Sequence, residues 1–191
     1  MIDTQIDRLI LRMPTLETER LVLRRLTKKD ARDVYEYSSD PNVPKYLTWS
    51  VHESYAYTKK YLRFLVSKYK SGEYLDWGIV LKSSGKLIGT CGFTSIDTSH
   101  AKGEIGYVLN PSYWNCGYAT EAVERVLEYA FNELELNRVE ARVMEGNTAS
   151  VSILNKCNMT HEGTFTQELF VKGEFKNVMH FAICRKDYPK K

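Results

Sequence analysis

The chain has 191 residues, with 27 Lys and Arg against 24 Asp and Glu and a formal net charge of +3. With 43% hydrophobic and 27% charged residues it can bury one sizeable core and stay soluble, which excludes disordered and collagen-like classes. A phosphate-tracking surface shows a strong basic excess, so this near balance argues against a nucleic-acid partner.

In chain order, Arg20 to Leu26 alternates apolar residues with charges at strand spacing, and Thr27 followed by Asp30 resembles a helix cap. The helix it opens is expected to run to about Ser38, before Pro41, since a proline disfavours the helical region for its predecessor. Residues Pro41 to Val51 read as loop. From His52 to Lys70, Tyr57, Tyr61, Leu62, Leu65 and Tyr69 fall at three- and four-residue steps, the pattern of a second amphipathic helix ended by Gly72. Three strands follow at Leu75 to Leu81, Lys86 to Phe93 and Lys102 to Leu109, the first two joined by the hairpin chemistry of Ser83-Ser84-Gly85-Lys86. Ala119 to Leu134 has the cleanest helical period in the chain. Arg138 to Met144 is then a strand, Thr148 to Lys156 a short helix, and Glu162 to Val171 with Lys176 to Arg185 a hairpin about Lys172-Gly173.

This order implies an α/β fold with a mixed sheet, in which the strand-helix-strand unit Lys102 to Met144 pairs in parallel. There are no repeats and no linker. One domain over residues 16–188 is expected, after an N-terminal extension over residues 1–15. The cysteines Cys91, Cys116, Cys157 and Cys184 lie much farther apart than the roughly two to four residues between paired metal ligands, so no metal is expected. Met1 to Arg12 mixes Asp3, Asp7 and Arg8 with apolar residues and lacks a signal-peptide core. No apolar run approaches the roughly 18 to 20 residues that span a bilayer, so the expected location is cytoplasmic, with free thiols and no membrane partner.

The segment Asn110 to Ala122 carries the chemistry. Pro111 stops the strand, Gly117 permits a backbone conformation closed to other residues, and small Ala119 allows close approach to the first helical turn. The unpaired N–H groups of that turn make an anion site for a phosphate or pyrophosphate just beyond the carboxyl end of a strand. A glycine that merely shapes a tight turn is the alternative. Neither a Walker-A loop nor a full GxGxxG motif is present.

The run Gly106-Tyr107-Val108-Leu109-Asn110-Pro111, then Tyr113-Trp114-Asn115-Cys116-Gly117-Tyr118-Ala119-Thr120-Glu121-Ala122, resembles the acetyl-CoA motif of the GNAT superfamily of N-acyltransferases, Gln/Arg-x-x-Gly-x-Gly/Ala. Trp114 replaces Gln/Arg, as in the ribosomal-protein N-acetyltransferase branch, and Asn115 departs from that branch's Gly. A second block, Asn147-Thr148-Ala149-Ser150 with Asn155-Lys156-Cys157-Asn158-Met159 and Glu162-Gly163, is similar to its Asn-x-x-Ser...Lys-x-Gly-Phe...Glu-Gly, with Asn158 for Gly and Met159 for Phe. The likeness extends over roughly Leu16 to Arg185.

The resemblance implies a GNAT fold, a mostly antiparallel sheet of about seven strands flanked by about four helices, and acetyl-CoA as cosubstrate. The strand ending Tyr107, Val108 and Leu109 would splay from its parallel neighbour and bind pantetheine, and the amides of Asn115, Cys116, Gly117, Tyr118, Ala119 and Thr120 would hold the pyrophosphate. Asn147 and Ser150 would flank the pantetheine and sulfur end, and Lys156 would approach the nucleotide phosphates, although Asn147 also reads as a helix cap. Ser150 matches the branch's general acid, whereas the position of the tyrosine acid used elsewhere in the superfamily is Leu154. Glu104 is the candidate base, against a solvated or salt-bridged strand carboxylate. Arg142 stands where some members have a base glutamate, and Glu168 is one off another carboxylate position, held by Leu169.

His52, His100, His161 and His180 form no metal or triad spacing and read as surface or packing. The aromatic stretch Tyr46, Trp49, Tyr55, Tyr57 and Tyr61 falls where this family closes over its acceptor. The expected reaction is direct acetyl transfer to a primary amine, first a protein N-terminal amine, otherwise a small amine such as a polyamine, amino acid or antibiotic. A non-catalytic CoA-binding module is the rival reading, and either a monomer or a homodimer is compatible.

Overall fold

The computed structural model describes residues 12–71 and 75–189. Among these, eight strands form one sheet in the order β1-β2-β3-β4-β5-β6-β8-β7, where β1 is Leu16–Glu17, β2 Leu21–Arg24, β3 Leu75–Leu81, β4 Leu87–Asp97, β5 Lys102–Leu109, β6 Arg138–Met144, β7 Thr160–Val171 and β8 Glu174–Cys184. Four α-helices join them: α1 (Ala31–Ser38), α2 (Tyr55–Ser71), α3 (Tyr118–Asn132) and α4 (Thr148–Lys156). All neighbouring strands are antiparallel except β5 and β6.

The expected elements are present with shifted ends. The sheet gains an eighth strand, β1, whose two residues pair with Leu23 and Val22 and are too short to show a period. The first strand is shorter than Arg20 to Leu26 because Thr27 caps a 3-10 turn at Lys28–Asp30 before α1 begins. The loop from Pro41 to Val51 holds a further 3-10 turn, Val43–Tyr46. The second helix starts at Tyr55 rather than His52, and its expected stop, Gly72, lies outside the described residues. The β7–β8 turn is a two-residue loop in which Lys172 and Gly173 both have positive φ (53° and 83°), matching the right-handed twist of the flanking strands.

The core sits between the sheet centre and its helices. Consecutive residues Ile79, Val80 and Leu81 are all buried, as are Leu87 and Ile88, so the central strands are covered on both faces. Both α1 and α3 pack on β4. The apolar stripe of α3, from Ala122 through Val126 to Phe131, is at most 1% exposed. Its Tyr129 ring meets Trp77 edge-on at 5.4 Å, and the Trp77 Nε1–H donates to the Pro14 carbonyl at 2.7 Å.

The start of α1 is fixed by a buried carboxylate. Asp30 accepts from Arg24 Nη1 and Nη2 at 2.9 and 2.7 Å and from the Thr27 N–H at 2.6 Å, while the Thr27 hydroxyl accepts from the Lys29 N–H, so a charge at the end of β2 and local capping converge. Burial pushes the Asp30 carboxyl up, but Arg24 and Thr27 outweigh it and hold it below the ordinary carboxylate range. A lowered folded pKa means that this stability is complete above the unfolded value and lost as pH falls through the folded one. Accordingly, Asp30→Ala should destabilise the fold by about 2 to 3 kcal/mol at neutral pH, measured by urea unfolding, and the gap to wild type should shrink on acidification below the normal carboxylate range.

Candidate active site

The site begins with an interrupted ladder. β5 and β6 pair only at Lys102–Arg138, Gly103–Val139 and Glu104–Glu140. Beyond Glu104, β5 stays with β4 as far as Leu109, while β6 stays with β8 as far as Met144, so the parallel strands part. Asn110 N–H donates to Ile88 O on β4 at 2.7 Å. By strand alternation, the backbone groups of Leu109 and Tyr107 therefore face the opened side, and those of Val108 face β4. On that side the Leu109 carbonyl accepts from Trp114 Nε1–H at 2.8 Å, leaving the Leu109 N–H available to a ligand.

The end of β5 is anchored by Asn110, which is 2% exposed. Its Nδ2 donates to Glu36 Oε1 at 2.9 Å, and its Oδ1 accepts from the Ser112 N–H at 3.0 Å. Asn115 and Gly117 then turn through positive φ (60° and 81°), and α3 starts at Tyr118 with no side-chain cap from its N-cap residue Gly117. The first-turn amides are thus not consumed by a Ser, Thr or Asp at that position, as an anion site requires. A Cβ on Gly117 would stand 3.3 Å from Arg20 Nη2, so a cation lies beside the turn.

Arg20 ties this turn to β2. Its Nε donates to Glu121 Oε2 at 2.7 Å, its Nη1 to Cys116 O at 3.0 Å, and its guanidinium covers the Tyr118 ring at 4.4 Å. Glu121 also accepts from the Thr18 hydroxyl at 2.5 Å and the Arg20 N–H at 3.0 Å. Burial pushes the Glu121 carboxyl up, but these donors leave it net lowered. An open groove of about 810 Å³ runs past Arg20, Gly117, Thr120 and Lys156, placing the α4 lysine in the same groove as the α3 N-terminus.

On the other side of the splay lies a cavity of about 410 Å³ roofed by the α1–α2 region and floored by β4 and β5. Tyr46, Trp49 and Tyr61 line it, with the carboxylates Asp76 and Glu104. His52 also lines it, with its Nδ1 2.9 Å from Ser38 Oγ and 2.8 Å from Thr58 Oγ1. Burial lowers the His52 pKa, which keeps the imidazole neutral at neutral pH. Tyr57 lies against the His52 ring at 4.9 Å and Tyr55 against Tyr35 at 5.9 Å, so those two aromatics pack rather than line the cavity.

Glu104 enters this cavity paired with Arg142, whose Nε is 2.9 Å from Glu104 Oε2. Glu168 points instead to His180 at 2.7 Å, and Leu169 lines the cavity beyond the β7 irregularity. Asn147 caps α4, its Oδ1 accepting from the Ser150 N–H at 3.2 Å. Ser150 is brought to β5: its Oγ lies 2.7 Å from the Tyr107 hydroxyl. Leu154 is fully buried. The structure therefore gathers Tyr107, Leu109, Asn147 and Ser150 about the opened edge and Gly117, Thr120 and Lys156 about the groove, while Glu104 sits on the cavity side. Sequence reasoning missed Arg20, Glu121, Asp76 and the Tyr107 side chain. Only Glu121, in the first turn of a clear helix, carried a local signal for a role.

A model of the family described as "Acetyltransferase (GNAT) domain" matches residues 20–160. The N-acetyltransferase p20 of Bacillus licheniformis is 35% identical over 92% of this chain and 99% of its own, and a spermidine N(1)-acetyltransferase of Vibrio cholerae is 24% identical over 88% and 95%. Among solved structures, a GNAT-family acetyltransferase from Bacillus anthracis superposes with a TM-score of 0.81 at 31% identity, covering 91% of this chain and 99% of that one. A ribosomal L7/L12 alpha-N-protein acetyltransferase in complex with coenzyme A shares the fold at a TM-score of 0.80 and 18% identity, over 90% and 98%. The splayed edge and the uncapped, cation-flanked α3 N-terminus fit the amide-rich chain and the pyrophosphate of CoA. The chain belongs to the GNAT family of acetyl-CoA-dependent N-acetyltransferases.

Proposed function

We propose that the protein acetylates a primary amine that reaches the splay through the cavity under α1 and α2, by direct attack and without an acyl-enzyme. The observation that carries this is the β5–β6 opening, with an anion-ready helix end on one side and an aromatic and acidic cavity on the other. Acetyl-CoA supplies a thioester, whose carbonyl accepts the amine and whose thiolate departs. The Leu109 N–H, facing the opened side, is the donor for the carbonyl oxygen, a charge-stabilising role that a fixed backbone dipole performs without reorganisation. Ser150 is the acid for the thiolate. Glu104, held by the Arg142 Nε at 2.9 Å, is the base that relays the ammonium proton away through water so that the amine is neutral before it attacks.

The acceptor of this reading is a protein N-terminal amine, whose first side chain occupies the cavity while the following chain leaves through its open mouth. A small amine is the second reading. Tyr46, Trp49 and Tyr61 with Asp76 and Glu104 favour an ammonium group by cation–π and charge attraction, and one relative is named for spermidine.

A screen that follows CoA thiol release should show acetyl-CoA consumption with peptides bearing a free N-terminus and none with the same peptides blocked. Turnover of polyamines alone would instead establish the second reading, and no acetyl-CoA consumption with any amine would refute both. Gly117→Ala forces a Cβ into a left-handed conformation that costs about 1 to 2 kcal/mol, so the KM for acetyl-CoA should rise roughly 5- to 30-fold with kcat little changed. Ser150→Ala should do the opposite, lowering kcat by about 10- to 100-fold with little effect on that KM.

A further inference from the structure

The Tyr107 side chain reaches from the acceptor cavity to Ser150 on α4. It lines the acceptor cavity, and its hydroxyl lies 2.7 Å from Ser150 Oγ and 3.3 Å from the Ser150 carbonyl. Ser150 alone gives the thiolate a proton but has nothing to replace it from. Leu154, one turn along α4, has none to offer and is fully buried.

We propose that the Tyr107 hydroxyl is a catalytic group that takes the proton the amine nitrogen loses once the C–N bond forms, a different proton from the ammonium proton that Glu104 relays away before attack, and passes its own proton to Ser150 Oγ, which hands its original proton to the departing thiolate. The inference rests on the acetyl-transfer reading above and on Ser150 as acid. The balance closes within the site. The C–N bond forms and the C–S bond breaks, the amine nitrogen loses one proton and the CoA sulfur gains one, and both hydroxyls end as they began. No oxidant or further acid is required.

The surroundings suit a relay better than a stored charge. Burial pushes the Tyr107 hydroxyl well above the ordinary phenol range, and the Ser150 hydrogen bond only partly opposes this. A lone phenolate would be costly there, so proton entry and exit are concerted. A 2.7 Å contact between two hydroxyls lets either oxygen be the donor. Asn147 holds the Ser150 backbone, and with it the direction of Oγ, through the cap at 3.2 Å.

Tyr107→Phe keeps the ring and removes only the hydroxyl. The single variant should lose about 10- to 100-fold in kcat, while its acetyl-CoA affinity by calorimetry stays within about twofold of wild type. Because the two hydroxyls act in series, Tyr107→Phe with Ser150→Ala should be no slower than the slower single variant. Wild-type kcat in Tyr107→Phe, or losses that multiply in the double variant, would overturn the relay. A readout independent of turnover is the spectrum of protein labelled with 13C at tyrosine Cζ. The resonance that Tyr107→Phe deletes should be the one that Ser150→Ala shifts, and an unmoved resonance would overturn the contact on which the proposal stands. If Tyr107→Phe fails to fold, that resonance, assigned by through-bond methods, still decides. A wild-type enzyme inert toward every amine would refute acetyl transfer itself, a result separable from a working enzyme indifferent to Tyr107.

Discussion

Everything in the site depends on two parallel strands that stop pairing. A β-strand inside a sheet has its amides and carbonyls spoken for, and a ligand cannot compete for them. By ending the β5–β6 ladder after Glu104 and Glu140, the protein leaves one edge of β5 unsatisfied on purpose, in the middle of an eight-stranded sheet rather than at its margin. The opening does not loosen the fold, because each strand keeps its other neighbour: β5 is held by β4 to Leu109 and β6 by β8 to Met144. The result is a rigid cleft whose polar lining is backbone, and whose specificity for an extended amide-bearing chain follows from strand geometry.

The second requirement is that the end of β5 and the start of α3 stay fixed relative to each other. Two carboxylates do this from opposite sides. Glu36 on α1 takes Asn110 at the strand end, with Lys86 as a further partner, and Glu121 in the first turn of α3 gathers Thr18 and Arg20 from the β1–β2 turn. Placing the Glu121 carboxylate at a helix N-terminus is favourable to the dipole, and its neutralisation by Arg20 leaves the positive end of the helix able to receive another anion. The near-neutral composition thus accommodates an anionic cosubstrate, since amides and one guanidinium supply the local field.

Local chemistry was legible in the sequence. The α3 stripe, the Thr27–Asp30 cap, the Lys172-Gly173 turn and the left-handed need at Gly117 all write themselves within a few residues, and the structure has each of them. The resemblance around Tyr113 to Ala122 led to the family for the same reason. What the sequence hid was non-local. The break in pairing after Glu104 leaves no mark in the residue pattern, because residues on both sides of it keep strand alternation, and it was expected only through the family resemblance. Arg20 and Glu121 are 101 positions apart and Tyr107 and Ser150 are 43 apart, so no periodicity relates them. Glu104 came from the resemblance, with a salt-bridged strand carboxylate as its alternative; the structure shows the ion pair, and its partner Arg142, which stands at another carboxylate's place, was not foreseen. The two-residue β1 was invisible because two residues are too few for an alternation to repeat.

The central claim is that the unpaired β5 edge and the α3 N-terminus together hold acetyl-CoA. Amide hydrogen exchange with and without CoA, read residue by residue, tests it most directly. The account predicts new protection at the Tyr107 and Leu109 amides and over residues Gly117 to Thr120, with the already bonded Val108 and Asn110 amides little changed. Protection that leaves these amides untouched and falls on other segments would contradict it.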